Sequence, residues 1–148
     1  MSGPPEPRLT HLALVVRDLE ATIAWYEAWT PLRVGHRRRD PDGAVAWLGH
    51  PDPGPHPFVL VFIEQDRPDH DPVPLGPLAH LGIEMPSREE VDAVARRARE
   101  AGILHWEPAD IGPPVGYICA VTDPDGNVVE FSHDQGLYDA VTGASPPA

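Results

Sequence analysis

Leu9-Thr10-His11-Leu12-Ala13-Leu14-Val15-Val16 and Leu78-Ala79-His80-Leu81-Gly82-Ile83 follow one pattern, and reading them side by side decides the fold. Each is an apolar run of strand length, and each carries a histidine as its third residue. What comes next also matches. After the first run, Asp18 is placed to cap a helix over Leu19 to Trp29, with Leu19, Ile23 and Tyr26 at helical spacing and Pro31 as its stop. Strands are predicted near Leu32 to Arg39, at Ala44 to Gly49 beyond the turn Asp40-Pro41-Asp42-Gly43, and at Phe58 to Gln65. After the second run, which extends to Met85, Ser87 and Glu90 have the spacing of a capping box. The helix they open runs to about Ala101, with Val91, Val94, Ala95 and Ala98 as its stripe and Gly102 placed to end it. Strands follow near Leu104 to Pro108, Tyr117 to Thr122 and Asn127 to His133. The order β-α-β-β-β therefore occurs twice.

A third run completes the candidate chemistry. Asn127-Val128-Val129-Glu130-Phe131-Ser132 puts a carboxylate, Glu130, in the middle of a strand. A polar side chain in such a place must find a partner or lose its hydration uncompensated. A repeat of this kind packs about a pseudo-two-fold axis, and equivalent residues near the axis face one another, which would bring His11 and His80 together. Two imidazoles and one carboxylate can pair by holding one divalent metal, with positions left open for water, substrate or dioxygen. Taken singly, a strand histidine is more often a satisfied core or surface residue, and Glu130 could be a rim charge facing an arginine. The coincidence of spacing, repeat and chemistry favours the metal.

Composition narrows the field. The chain has 148 residues, enough for one compact domain with a real core. Its net charge of -12 argues against nucleic acid and anionic membranes as partners. No apolar run approaches the ~20 residues of a membrane span, and the N-terminus lacks the apolar core of a signal peptide. A single cysteine, Cys119, cannot form an internal disulfide, so a cytoplasmic home is expected. The 20 prolines cluster between the elements and at both ends, marking loops and tails. The expected organisation is a tail over 1–8, one domain over 9–133 (module one 9–65, linker 66–77, module two 78–133) and a tail over 134–148.

This repeat resembles the vicinal oxygen chelate superfamily, which includes glyoxalase I, extradiol dioxygenases, fosfomycin resistance enzymes and bleomycin resistance proteins. The matching pieces are His11-Leu12-Ala13-Leu14-Val15-Val16-Arg17-Asp18-Leu19-Glu20-Ala21-Thr22 with Trp25-Tyr26, and Asp123-Pro124-Asp125-Gly126-Asn127-Val128-Val129-Glu130. The resemblance implies an α+β fold: two βαβββ modules related by a pseudo-two-fold, in a curled mixed sheet forming an open cup with the metal inside. It carries over three metal ligands, His11, His80 and Glu130. A fourth family position falls near Val61 or Phe62, where neither a carboxylate nor a glutamine stands. Glu64, two or three residues on, is the open alternative. Two histidines and one glutamate suit Fe(II) or Mn(II), with Zn(II) or Ni(II) as alternatives.

Three functions fit these residues. An extradiol-type dioxygenase of a catechol-like substrate is favoured by ligand number, although the family's acid-base histidine would fall near Leu60 or Val61 and its tyrosine at Ala120. The second is a glyoxalase-like lyase, isomerase or thiol transferase. The third is a drug-sequestering protein without catalysis. Tyr117, after the loop Pro113-Pro114-Val115-Gly116, is the candidate catalytic residue. Trp47, Phe62, Trp106 and Tyr117 are candidate walls of a substrate cavity. His36 sits beside an arginine cluster, and His50, His56, His70, His105 and His133 lie in loops or at strand margins, where nothing selects one. The expected partners are a small-molecule substrate and a second copy of the chain, since open sheets leave edges that a symmetric dimer can cover.

Overall fold

The computed structural model describes residues 6–67 and 71–143, which divide into two compact units, one ending at Val73 and the other beginning at Pro74. His70 and the outer parts of both predicted tails lie outside the described residues. The first unit contains β1 (His11–Val16), α1 (Leu19–Trp29), β2 (Arg33–Asp40), β3 (Gly43–Gly49) and β4 (Val59–Gln65). The second contains β5 (His80–Glu84), α2 (Arg88–Ala101), β6 (Leu104–Asp110), β7 (Tyr117–Thr122), β8 (Val128–His133) and a short helix α3 (Leu137–Thr142). The duplicated βαβββ order read from the sequence is present.

The local signals act as their chemistry demands. The Asp18 carboxylate accepts from the Ala21 N–H at 3.0 Å, and Leu19, Ile23 and Tyr26 are buried. The Ser87 hydroxyl accepts from the Glu90 N–H at 3.2 Å, and α2 ends on Gly102 at φ 74. Val91, Ala95 and Ala98 are buried on its inner stripe, while Val94 is only half-buried. One element, α3, falls where the sequence pattern gives none. It is short, exposed and entered through a left-handed Gly136.

The expected curled mixed sheet forming an open cup is not what forms. The strands make two separate four-stranded sheets, ordered β1-β4-β3-β2 and β5-β8-β7-β6. In each, the first and last strands of the unit pair parallel and the other neighbours pair antiparallel. Neither sheet closes on itself: β1 and β2 stand at opposite edges of one, β5 and β6 of the other. The physical reason is strand number, since closure needs edge strands to meet, and the smallest well-filled barrels use about eight strands. The repeat was legible in the sequence, whereas curvature, which depends on twist and bulges, was not.

Each sheet has one helix-covered face. In the first unit, Leu14, Val16, Leu60, Phe62, Ala46 and Leu48 are buried and share the face toward α1, where Tyr26 packs on Phe62 with ring centroids 4.8 Å apart. In the second, Cys119, Val121, Val129 and Phe131 are buried on the face toward α2. Burying each such large side chain contributes roughly 1.5–3 kcal/mol. The polar residues in question therefore fall on the opposite faces by strand alternation.

Candidate functional site

β5 and β8 build the centre of the site. Their parallel register pairs His80 with Val128 and Gly82 with Glu130, so His80, Gly82, Val128, Glu130 and Ser132 share the face away from α2. His80 Nε2 lies 3.3 Å from Glu130 Oε2. Glu130 is only 5 % exposed. A carboxylate so deeply placed needs a partner on both oxygens. Its other oxygen, Oε1, accepts from the Gln135 side-chain amide at 2.9 Å.

The tautomer of His80 follows from its surroundings. Its Nδ1 lies 2.5 Å from the Leu78 carbonyl oxygen, which can only accept, so Nδ1 carries the proton and donates. In the neutral ring, Nε2 is then a lone pair pointing at a carboxylate oxygen. Two acceptors 3.3 Å apart repel unless a cation or a proton lies between them. This is the arrangement of a metal-ligating histidine whose second nitrogen is held by a backbone carbonyl. Next to Glu130, a Cβ added to Gly82 would meet no atom within 4 Å, so the face is open beside the pair. The residues present therefore fit a divalent ion. Trp106 borders the pair, its ring edge-on to His80 with centroids 5.2 Å apart. His105 Nε2 in turn lies 3.0 Å from the Pro77 carbonyl oxygen.

His11, the equivalent residue of the first unit, opens β1 and is exposed. Its Nδ1 lies 2.9 Å from the Thr10 hydroxyl, which leaves Nε2 available. Among the described residues, no group of three or more His, Cys, Asp or Glu side chains stands ready to hold a metal ion. The structure thus brings His80 and Glu130 together as a pair, with His11 on its own unit's open face.

The remaining candidates divide by face. Glu64 pairs with Val16 across β1 and β4, which puts it on the α1 side, opposite to His11. There its Oε2 accepts from the Leu19 N–H at 2.6 Å, at the first turn of α1. Val61 does lie on the face of His11, paired with Ala13. Phe62 is fully buried against Tyr26 and belongs to the core. The Tyr117 hydroxyl donates to Asp92 Oδ1 on α2 at 2.6 Å, and the Arg88 guanidinium lies 4.7 Å from its ring centre. That bond, followed by desolvation, raises the Tyr117 pKa above its ordinary value. Tyr117 is therefore on the helix side of the second sheet, the side away from Glu130.

Trp47 is 46 % exposed on the open face of the first sheet, with the His36 ring edge-on at 5.3 Å. Together with Phe58, Val59 and Pro51, Pro53 and Pro57 it walls a cavity of about 560 Å³. Gln135, Gly82 and this proline-lined wall were not picked out by sequence reasoning. Gln135 lies in a segment that reads as tail, and neither residue belongs to a spacing motif. The only available signal was Asp134-Gln135-Gly136, a polar turn directly after the Glu130 strand.

Residues 8–131 match the model of the Glyoxalase/Bleomycin resistance protein/Dioxygenase superfamily, and the chain belongs to that superfamily. It is 43% identical over 131 residues to an uncharacterized protein of Pseudomonas aeruginosa, with 88% of this chain and 91% of the relative covered. Among solved structures, it is similar to a glyoxalase/bleomycin resistance protein/dioxygenase domain from Frankia sp. EAN1pec (TM-score 0.67, 22% identity, 88% of this chain and 99% of that one). It is also similar to the trypanothione-dependent glyoxalase I of Leishmania major (TM-score 0.68, 19% identity, 93% and 94%). A third similar structure is a glutamate-to-glutamine mutant of the genomically encoded fosfomycin resistance protein of Listeria monocytogenes, complexed with Mn(II) and a dihydroxypropylphosphonic acid (TM-score 0.60, 20% identity, 86% and 93%). At these identities the structural likenesses establish the fold. Among the described residues, no helix is long and apolar enough to cross a membrane.

Proposed function

We propose that the protein is a divalent-metal-dependent enzyme of the glyoxalase or fosfomycin type, catalysing an isomerase, lyase or thiol-transfer reaction on a small molecule that presents neighbouring oxygens. The observation that carries this reading is the His80–Glu130 pair, with His80 Nε2 3.3 Å from a buried carboxylate oxygen and Nδ1 against the Leu78 carbonyl. His80 and Glu130 would hold the ion. When bound, the ion supplies a Lewis acid that polarises the chelating oxygens. Leu78 fixes the His80 tautomer, Trp106 restrains the ring, and the space over Gly82 leaves room for substrate oxygens.

Oxygen insertion is the less favoured chemistry. The Tyr117 hydroxyl is engaged by Asp92 on the helix side, so it does not supply the donor that an extradiol reaction would require near Glu130. The similarity to a glyoxalase I and a fosfomycin resistance protein supports the same preference. Protein loaded in turn with Mn(II), Zn(II), Ni(II) and Fe(II) should be assayed against hemithioacetals, an epoxyphosphonate with thiol or water, and catechols. Metal-dependent turnover of either of the first two classes, lost in His80→Ala, is the expected result. Oxygen uptake with a catechol would restore the dioxygenase. Binding of an aromatic drug by metal-free protein, with no turnover of any substrate, would make it a sequestering protein.

A further inference from the structure

The turn between β8 and α3 has an uncommon backbone. Asp134 has φ 66 and Gly136 has φ 62, so both residues flanking Gln135 are left-handed. Asp134 is the one non-glycine residue in that region among those described, and the conformation costs backbone energy that surrounding contacts must offset. A second constraint holds the same turn from beneath. Gly116, at φ 84, lies so close to the His133 and Asp134 carbonyl oxygens that a Cβ there would overlap the first. The outcome of this construction is one contact. The chain reverses directly after β8, and the Gln135 side chain returns to Glu130, donating from Nε2 to Oε1 at 2.9 Å.

We infer that Gln135 is a positioning residue for the Glu130 carboxylate, held for that task by the left-handed turn Asp134-Gln135-Gly136. The inference rests on the reading of Glu130 as a metal ligand. By occupying Oε1, the amide leaves Oε2 alone to face His80 Nε2. Glu130 would then be held in a fixed orientation, with Oε2 as the oxygen it offers to a metal ion on the His80 side. Hydrogen bonds to a ligand of this kind characteristically change metal affinity by about 10- to 100-fold.

The test compares the wild-type chain with Gln135→Met, Gly136→Ala and Glu130→Ala. Zn(II) affinity is measured by competition with a chelating dye, and the visible spectrum of Co(II)-loaded protein reports coordination geometry. Gln135→Met keeps the side chain's length and removes its donor. It should weaken Zn(II) binding about tenfold and shift the Co(II) band, and it should also lower the metal-free melting temperature, because Glu130 Oε1 loses its donor. Gly136→Ala leaves both side chains intact but strains the turn, and it should weaken binding in the same direction. Wild-type affinity and an unshifted Co(II) band in both variants, with Glu130→Ala unable to bind, would overturn the role of Gln135 and leave the metal site standing. Equal binding by wild type and Glu130→Ala would remove Glu130 from the site and the inference with it.

Discussion

Replacing Glu64 separates the fourth-ligand role that the sequence left open from the helix-anchoring role that its bond to the Leu19 N–H gives it. Its Oε2 accepts from the Leu19 N–H at 2.6 Å, its side chain is 22% exposed, and Leu19 itself is buried. A hydrogen bond to a charged acceptor in such a place contributes about 1.5–3 kcal/mol. Its negative charge at the first turn of α1 adds roughly 0.3–1 kcal/mol through the helix dipole. The Arg39 contact at 3.9 Å is largely exposed and adds little. Allowing for partial solvent access, Glu64→Ala should cost about 2 kcal/mol, a fall of roughly 4–8 °C in Tm for a chain of this size. Glu64→Gln, which keeps an acceptor, should cost about half as much. The assay is thermal unfolding followed by tryptophan fluorescence, because Trp25 and Trp29 lie on α1 itself. Metal content of both variants should equal that of the wild type, since Glu64 lies on the face of the first sheet opposite to His11. Loss of metal in Glu64→Gln with Tm unchanged would refute the reasoning and make Glu64 a ligand.

Further outcomes are expected. Glu130→Ala should lower metal occupancy severely by elemental analysis, whereas Tyr117→Phe should leave occupancy intact and cost about 1 kcal/mol in urea unfolding through loss of its bond to Asp92. Burial pushes the Cys119 thiol up from its ordinary value near 9 to about 12, so the folded protein should resist alkylation at pH 8 and react once denatured. Between about pH 9 and 12 the unfolded chain releases that proton while the folded one keeps it, so this group's contribution to stability is present below pH 9 and falls as pH rises through that window, as urea titrations across it should show. Light scattering at tens of micromolar should give twice the chain mass; a monomer would remove the dimer expected from open sheet edges.

What the sequence disclosed and what it withheld follow from the range of the forces involved. Caps, turns and helical stripes are local, so Asp18, Ser87 and Gly102 could be read directly. Strand alternation carried His80 and Glu130 onto one face because both runs are regular. The face of Tyr117 could not be read, because the register of β7 against β8 is set by packing beneath α2, and there Tyr117 pairs with His133. Phe62 was read as a wall for the same reason: a one-residue step along β4 separates Val61, on the open face, from the core. Sheet closure and the role of Gln135 depend on backbone twist and left-handed residues, which leave only faint marks in composition.

The parallel pairing of β5 with β8 has a consequence for how the protein comes into being. His80 and Glu130 are neighbours across a sheet, yet almost the whole of the second unit is threaded between them. As the ribosome extends the chain, the helix and the middle strands emerge before the second half of the pair exists. Closing that long loop is entropically costly until β8 docks, so the pair is among the last contacts to form. A nascent chain, or one cut short before Glu130, lacks the pair altogether. The order of strands thereby delays the His80–Glu130 contact until synthesis of the unit is essentially complete.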